Sequence, residues 1–292
     1  DYYHSLAALL FLCVYIIFTS DKIILNQQRI YFLGEPFSFH YLAAQAFFGG
    51  DNQFVSAASF DAIIEQTRLN ENSFGVMAVE NTLAGDVPGN FIRIANSGLT
   101  ICGSITLPVE LFLAAKENIS LDQLTTVYSH EMAIKETSTF FSQYPHIQFT
   151  ATPSTSGAVK LVAEHNNKNI AAIGNKAAIL FYHLQIIASK IDNHASNFTR
   201  FLILSKKSLA PLTTFPAKIA SLILQPYEME DFTAQFGADA IQLIRHTDAQ
   251  NVYIETKELL PEQIINIALK YGYNTADSRV LGIYNHRLTE EL

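Results

Sequence analysis

From residue 28 onward, short apolar runs alternate with helix-length amphipathic segments. Runs that are apolar throughout are typical of strands covered on both faces, so the alternation predicts an α/β chain with mostly parallel strands. We expect strands at residues 29–33, 74–79, 126–128, 147–150, 170–173 and 201–204. We expect helices at residues 39–48, 60–69, 132–144, 158–165 and 176–182.

Residues 207–216 interrupt this periodicity with prolines and small polar side chains, which indicates a linker between two domains. The tail that follows is long enough for one small domain. Its apolar runs predict strands at residues 217–224, 241–244, 252–256 and 279–284, with helices at 229–236 and 261–271. Residues 217–292 therefore form a predicted α+β module.

An apolar run occupies residues 5–18, ahead of the first predicted strand. It is shorter than the ~20 residues of a membrane-spanning helix. No Lys or Arg precedes it, as a signal peptide would require. We interpret residues 1–27 as an apolar leader or an artefact, with a true anchor as the alternative, and exclude them from the fold.

The composition is that of a folded acidic protein, because 49% of the 292 residues are hydrophobic and the net charge is −8. Nucleic acid is excluded as a partner because Lys and Arg number 19 against 27 Asp and Glu, with no basic run. Cys13 and Cys102 are too few and too distant for a disulfide scaffold. A reducing, cytoplasmic location is expected.

Three predicted strand-to-helix junctions carry a serine where the helix begins: Ser38, Ser129 and Ser154. A serine N-cap leaves backbone N–H groups and the positive end of a helix dipole available to a carboxylate or phosphate. Ligands of parallel sheets collect at this strand edge. Serine is also a favoured cap in any helix, so a purely structural role is the alternative.

Two polar clusters border apolar strands. Glu80, Asn81 and Thr82 follow the strand at 74–79, and residues 197–201 (NFTRF) precede or begin the strand at 201–204. The second cluster offers an amide, a hydroxyl and a guanidinium, which suit an anion and a departing oxygen. A capped turn and a strand start with an exposed Arg explain the two clusters equally well.

The nine histidines show no metal-binding spacing, and neither a glycine-rich phosphate loop nor a GxSxG elbow is present. These patterns favour a reaction without metal or cofactor, or plain binding.

Five blocks in the same order and spacing as in the prephenate dehydratase family identify a resemblance over residues 29–206. They are residues 34–44 (GEPFSFHYLAA), 75–85 (GVMAVENTLAG), 128–133 (YSHEMA), 154–158 and 197–201 (NFTRF). The tail resembles the ACT regulatory domain, most clearly at residues 278–284 (SRVLGIY).

The resemblance implies a two-lobed catalytic domain at residues 28–206, built like a type II periplasmic binding protein, with substrate between the lobes. We place residues 28–105 and 197–205 in the first lobe and residues 106–196 in the second. A small ferredoxin-like ACT domain at 217–292 follows.

The resemblance also implies a reaction, the decarboxylating dehydration of prephenate to phenylpyruvate in phenylalanine biosynthesis. It assigns the key hydroxyl to Thr199, with Glu80 as a reserve acid. Arg200 and the helix N-termini are expected to hold the substrate carboxylates. The predicted binding residues are Ser38, Asn81, Thr82, Ser129, Ser154, Thr155, Asn197, Arg200 and Phe201.

The sequence departs from the family pattern at Asp86, where Ser is common, and at Glu131 and at Glu136–Thr137, where Pro and Gln-Cys are usual. In the tail, residues 227–231 (YEMED) and 245–248 (RHTD) replace the usual phenylalanine-binding segments, so we expect weak or absent inhibition by phenylalanine. A homodimer or homotetramer is expected by resemblance.

Two alternatives to an active dehydratase stay open. The first is a catalytically impaired paralogue that binds or senses prephenate or an amino acid. The second is an exported solute-binding protein, which the run at residues 5–18 and the lobed architecture suggest, although it leaves the ACT-like tail without explanation.

Overall fold

The computed structural model describes residues 27–194, 196–206, 218–225, 241–246, 252–257 and 274–288. The predicted leader (apart from residue 27), the linker at 207–216 and both predicted helices of the tail lie outside these residues. Within them the chain is an α/β protein with two separate sheets, which confirms the predicted fold class.

The first sheet is built on the parallel strands β1 (Arg29–Leu33), β2 (Gln53–Ala57) and β3 (Ser73–Asn81). β11 (Phe198–Ser205) extends it by pairing antiparallel with β3 on one side and with β5 (Thr100–Pro108) on the other, and β4 (Gly85–Asp86) pairs with the end of β3. The helices are α1 (Phe39–Phe48), α2 (Phe60–Leu69) and α3 (Asn90–Asn96).

Helices cover both faces of this sheet, which is why β1 and β3 are apolar almost throughout. On one face, α2 and α3 pack with Met77 and Val79 of β3, and on the other, α1 packs with Val76 and Ala78. Side chains of a strand alternate between faces, so one apolar strand supplies both cores.

The second sheet has the strand order β10-β6-β9-β7-β8. Its strands are β6 (Phe112–Ala115), β7 (Thr126–Ser129), β8 (Gln148–Ala151), β9 (Ile170–Gly174) and β10 (Gln185–Ala188). A 3₁₀ turn (Leu121–Gln123) precedes β7, and the helices are α4 (Glu131–Glu136), α5 (Ser138–Phe141), α6 (Thr155–Glu164) and α7 (Lys176–Phe181). The chain passes between the sheets twice, after β5 and before β11.

The helix predicted at residues 132–144 is two short helices, α4 and α5, with a break at Thr137. The Thr137 hydroxyl donates to the carbonyl of Ala133 (2.9 Å). Asn193, in the segment between β10 and β11 that returns to the first sheet, lies at the break. Asn193 accepts a hydrogen bond from the N–H of Thr139 (2.9 Å) and donates to the carbonyl of Lys135 (3.0 Å). A contact so distant in sequence leaves no trace in local periodicity.

Four strands of the tail are described: β12 (Lys218–Gln225), β13 (Ile241–His246), β14 (Val252–Lys257) and β15 (Asn274–Leu288). They pair antiparallel in the order β13-β14-β12-β15. The end of β15 pairs in parallel with β5, so the tail strands extend the first sheet.

The sequence does not predict β2, β5, β6 or β10, and it predicts β11 to begin at residue 201 rather than at Phe198. Among the described residues we find no helix with the length and apolar character needed to cross a bilayer.

Candidate active site

A cleft of about 690 Å³ lies between the two sheets. It opens beyond the carboxyl ends of parallel strands from both sheets, since residues that follow β1, β2, β3, β7 and β8 line its walls. This is the edge at which α/β sheets place ligands. The cleft is therefore the candidate active site.

Two helices, one from each sheet, begin at the cleft with an N-cap serine that lines it. Ser38 caps α1 by accepting a hydrogen bond from the N–H of Tyr41 (3.3 Å), and Ser154 caps α6 by accepting from that of Gly157 (3.0 Å). Three of the predicted site residues thus come together in the structure, since Ser38, Ser154 and Thr155 all line the cleft. The two helix dipoles place partial positive charge on opposite walls, where a dicarboxylate could be held.

Asn81, at the end of β3, orients the hydroxyl of Thr199 on β11. The Asn81 amide nitrogen donates to Thr199 Oγ1 (3.0 Å) and to Asn197 Oδ1 (2.7 Å), while its oxygen accepts from the N–H groups of Leu83 and Ala84 (2.9 Å each). Both amide hydrogens are thus used. Because Thr199 accepts from Asn81, its own hydroxyl proton is left to donate into the cleft that it lines.

An apolar floor lies beside this hydroxyl. Phe201 is fully buried beneath the cleft, and the His40 ring meets it edge-on with 5.1 Å between ring centroids. The His40 Nε2 accepts a hydrogen bond from the N–H of Ala78 (3.3 Å), and burial lowers the pKa of His40 from 6.5 to about 4. His40 is therefore a neutral imidazole whose proton lies on Nδ1.

Arg200 does not line the cleft, in contrast to its predicted role in holding substrate carboxylates. β11 already begins at Phe198, so side chains alternate from there and Arg200 projects from the face opposite to Thr199 and Phe201. Its Nη2 donates to both carboxylate oxygens of the fully buried Glu255 (2.6 and 2.7 Å), and its Nη1 donates to Glu80 (3.3 Å). The guanidinium is thus engaged by two protein carboxylates.

Four other predicted residues, Glu80, Thr82, Ser129 and Asn197, also lie away from the cleft lining. Glu80 lies beside Arg200, where Glu80, Thr82 and Arg200 line a separate hollow of about 290 Å³. The Thr82 hydroxyl accepts from the N–H of Phe198 (2.9 Å) and so holds the start of β11. Ser129 is fully buried and donates to the carbonyl of Ile173 (2.9 Å).

Asn197 is buried behind the cleft, where it accepts the hydrogen bond from Asn81. The cleft wall also includes His130 and Glu136, at the two ends of α4. β7 extends one residue beyond its predicted end, so His130 rather than Ser129 is the N-cap, accepting from the N–H of Met132 (3.2 Å). Neither His40 nor His130 is among the predicted site residues, although the strand-end rule points to the region of His130.

The departures from the family pattern fall in different places. Asp86 lines the hollow beside Arg200 rather than the cleft. Glu131 is exposed and pairs with Lys135 (2.8 Å), which lowers the pKa of Glu131. Of these three acidic residues, Glu136 alone lines the cleft.

A profile of the prephenate dehydratase family matches residues 30–209. The chain belongs to the prephenate dehydratase family. The bifunctional chorismate mutase/prephenate dehydratase of Escherichia coli K12 is 32% identical over 206 residues, which are 70% of this chain and 53% of that protein. The protein of the same description from Aquifex aeolicus VF5 is 29% identical over 184 residues, 63% and 50% of the two chains. This chain spans about half the length of these curated relatives.

Solved structures share the fold at low sequence identity. Prephenate dehydratase from Arthrobacter aurescens in complex with L-Phe superposes with a TM-score of 0.76 at 18% identity, covering 88% of this chain and 89% of that one. GqqA, described as a novel type of quorum quenching acylase, gives 0.72 at 20% identity over 88% and 97% of the two chains. Two different descriptions on one fold mean that the reaction has to be argued from the site.

Proposed function

We propose that this chain is a prephenate dehydratase, a hydro-lyase that converts prephenate to phenylpyruvate in phenylalanine biosynthesis. The observation that carries the proposal is the Thr199 hydroxyl, which Asn81 orients into the cleft between the two sheets. Membership in the family supports the choice of this substrate.

The proposed reaction removes carbon dioxide and a hydroxyl from one ring. As the ring carboxylate leaves as carbon dioxide, its bonding electron pair completes the aromatic ring and displaces the ring hydroxyl. The departing hydroxide takes up one proton and leaves as water, so the dianionic substrate gives the phenylpyruvate anion. The barrier lies mainly in the departure of this poor leaving group.

Thr199 would donate a hydrogen bond to the departing oxygen. A hydroxyl is a weak acid, but a donor that is already oriented stabilises developing negative charge without reorganisation. Asn81 supplies that orientation, and the buried Phe201 and neutral His40 limit the water around the reacting ring.

The N-termini of α1 and α6 would hold the two substrate carboxylates from opposite walls. In this proposal the helix N-termini replace Arg200 as the groups that bind the carboxylates. Ion pairs with Glu80 and Glu255 hold the Arg200 guanidinium on the other face of β11. For the same reason we assign no proton-donor role to Glu80.

The geometry gives little support to the impaired paralogue. Asp86 and Glu131, two of the departures that motivate it, add no charge to the cleft lining. The decisive experiment incubates the purified chain with prephenate and follows phenylpyruvate by absorbance, with an enzyme-free blank. Steady turnover is expected, whereas saturable prephenate binding without conversion would favour the paralogue.

For the tail we propose an ACT-like module. The support is the antiparallel order β13-β14-β12-β15, which is that of a ferredoxin-like sheet with its strands numbered 2-3-1-4. Residues 227–231, on which the expectation of weak phenylalanine inhibition depends, lie outside the described residues. Calorimetry of the full chain with phenylalanine tests that expectation, and micromolar binding would contradict it.

A homodimer or homotetramer and a cytoplasmic location also stay predictions. Light scattering of the purified chain tests the first, and cell fractionation tests the second.

A further inference from the structure

Glu136 is the last residue of α4, and its partly buried side chain lines the cleft. The segment between β10 and β11 passes beside it: the N–H of Asn193 donates to the Glu136 carbonyl (2.7 Å), and Asp192, His194 and Asn197 interact with the Glu136 carboxyl. The neighbouring Lys135 is paired with Glu131 at the outer surface of the same helix. Among the described residues no Lys or Arg lines the cleft, so the lining offers this carboxyl no permanent cation.

The surroundings of Glu136 disfavour its negative charge. Burial raises its pKa, and the nearby carboxyl of Asp192 raises it further, while the Asn197 side chain and His194 act in the opposite direction. The net effect is a raised pKa. Asp192 is itself partly buried, with Oδ2 accepting from the N–H of Leu111 (3.1 Å), and burial together with Glu110 raises the pKa of Asp192 as well.

Glu136 is connected to the proposed catalytic hydroxyl by side-chain amides. The amide of the buried Asn197 faces the Glu136 carboxyl, its Oδ1 accepts from Asn81 (2.7 Å), and Asn81 donates to Thr199 (3.0 Å). The Asn197 Nδ2 makes no short hydrogen bond to any described residue, so its contact with Glu136 is a long one. Glu136, on a helix of the second sheet, is thus linked through Asn197 and Asn81 to the Thr199 hydroxyl on the first sheet.

The two protonation states of this carboxyl would act on a dianionic ligand in opposite ways. A protonated carboxyl donates one hydrogen bond, which suits a substrate carboxylate. An ionised carboxyl offers only acceptors and repels the ligand, and at ~6 Å in a partly buried site the repulsion corresponds to a loss of affinity of about 10–100-fold.

We propose that Glu136 is a further substrate-binding residue of the cleft and that it contacts the dianion with its carboxyl protonated. The inference rests on the proposed function, because it takes prephenate as the ligand. It makes substrate binding a proton-uptake reaction: above the pKa of Glu136 in the free protein, binding draws in a proton and the affinity falls by up to about tenfold per pH unit.

The test compares three full-length proteins: the wild type, Glu136→Gln and Glu131→Gln. Glutamine keeps the shape and a donor but cannot ionise, and Glu131 is the matched control because it is an exposed carboxylate on the same helix, outside the cleft. The measurement is kcat/KM for prephenate from about pH 5 to about pH 9.

We expect wild-type kcat/KM to fall as the pH rises and Glu131→Gln to follow the same curve. Glu136→Gln should lose this alkaline fall and exceed the wild type by about tenfold or more at the alkaline end. His130 and His194 are present in all three proteins, so their titration cannot account for a difference between them.

An alkaline fall in Glu136→Gln equal to that of the wild type would overturn the inference while leaving the proposed function intact. Absence of prephenate turnover by the wild type at every pH would overturn the proposed function and this inference together.

Discussion

Glu255 provides the sharpest test of how the tail is joined to the first sheet. Its fully buried carboxylate accepts from Arg200 Nη2 at 2.6 and 2.7 Å and also from the Tyr253 hydroxyl. Glu255→Gln keeps the shape but removes the negative charge closest to the buried guanidinium, whereas the contact of Arg200 with Glu80 at 3.3 Å remains. Breaking one side of a buried ion pair costs about 3–5 kcal/mol. Because Glu80 retains part of the compensation, we expect about 2–4 kcal/mol of lost unfolding free energy.

Urea unfolding followed by far-ultraviolet circular dichroism measures this loss, which suits a chain that has no Trp. The control is Glu117→Gln, which breaks a pair with Lys168 at 3.1 Å whose side chains are 51% and 66% exposed. Such surface pairs contribute about 0–1 kcal/mol. The double variant Arg200→Met/Glu255→Gln should recover part of the loss, because the buried positive charge that faced Glu255 is removed as well. Equal losses for Glu255→Gln and Glu117→Gln would refute the buried-pair reasoning.

Three further outcomes follow from the cleft and the first sheet. Asn81→Asp replaces the donor to Thr199 with an acceptor, so kcat should fall about 10²-fold; unchanged kcat would remove Asn81 from the account. The pKa of His40 in the folded chain, about 4, lies below its unfolded value of 6.5. The contribution of His40 to the unfolding free energy should therefore be fully present above pH 6.5 and decline as the pH falls toward 4. In His40→Gln the unfolding free energy should lose this part of its pH dependence. Burial raises the pKa of Cys102 to about 12, so peptide mapping should show Cys102 alkylated only after unfolding, and rapid labelling of the folded chain would contradict its burial.

Local signals in the sequence predict α1 and α2 of the first sheet well, whereas α3 is not predicted. α1 and α2 have the predicted bounds, because Ser38 and Ser59 cap them and apolar residues recur at helical spacing. The family assignment is confirmed as well, since its blocks keep their order along the chain. Strands β1 and β3 can also be predicted locally, because both are apolar almost throughout, as strands covered on both faces are.

The predicted site depends on geometry that local patterns do not carry. Thr199 and Arg200 face opposite sides of the sheet because both lie within β11. The predicted strand begins at residue 201, three residues too late, and so does not show which of the two faces the cleft. The partner of Arg200 is Glu255, 55 residues away on a strand of the tail. His40 enters the cleft through the packing of α1 on β3, which requires the tertiary fold.

The proposed mechanism requires the Thr199 hydroxyl, held by Asn81, to stabilise the departing oxygen of prephenate. The most direct test is kcat for Thr199→Val, which keeps the shape of the side chain without its hydroxyl, beside Thr150→Ala, an exposed threonine on the edge strand β8. We expect a fall of about 10²–10³-fold for Thr199→Val, a smaller fall for Thr199→Ser, and wild-type turnover for Thr150→Ala. Turnover by Thr199→Val close to that of the wild type would contradict the proposed mechanism.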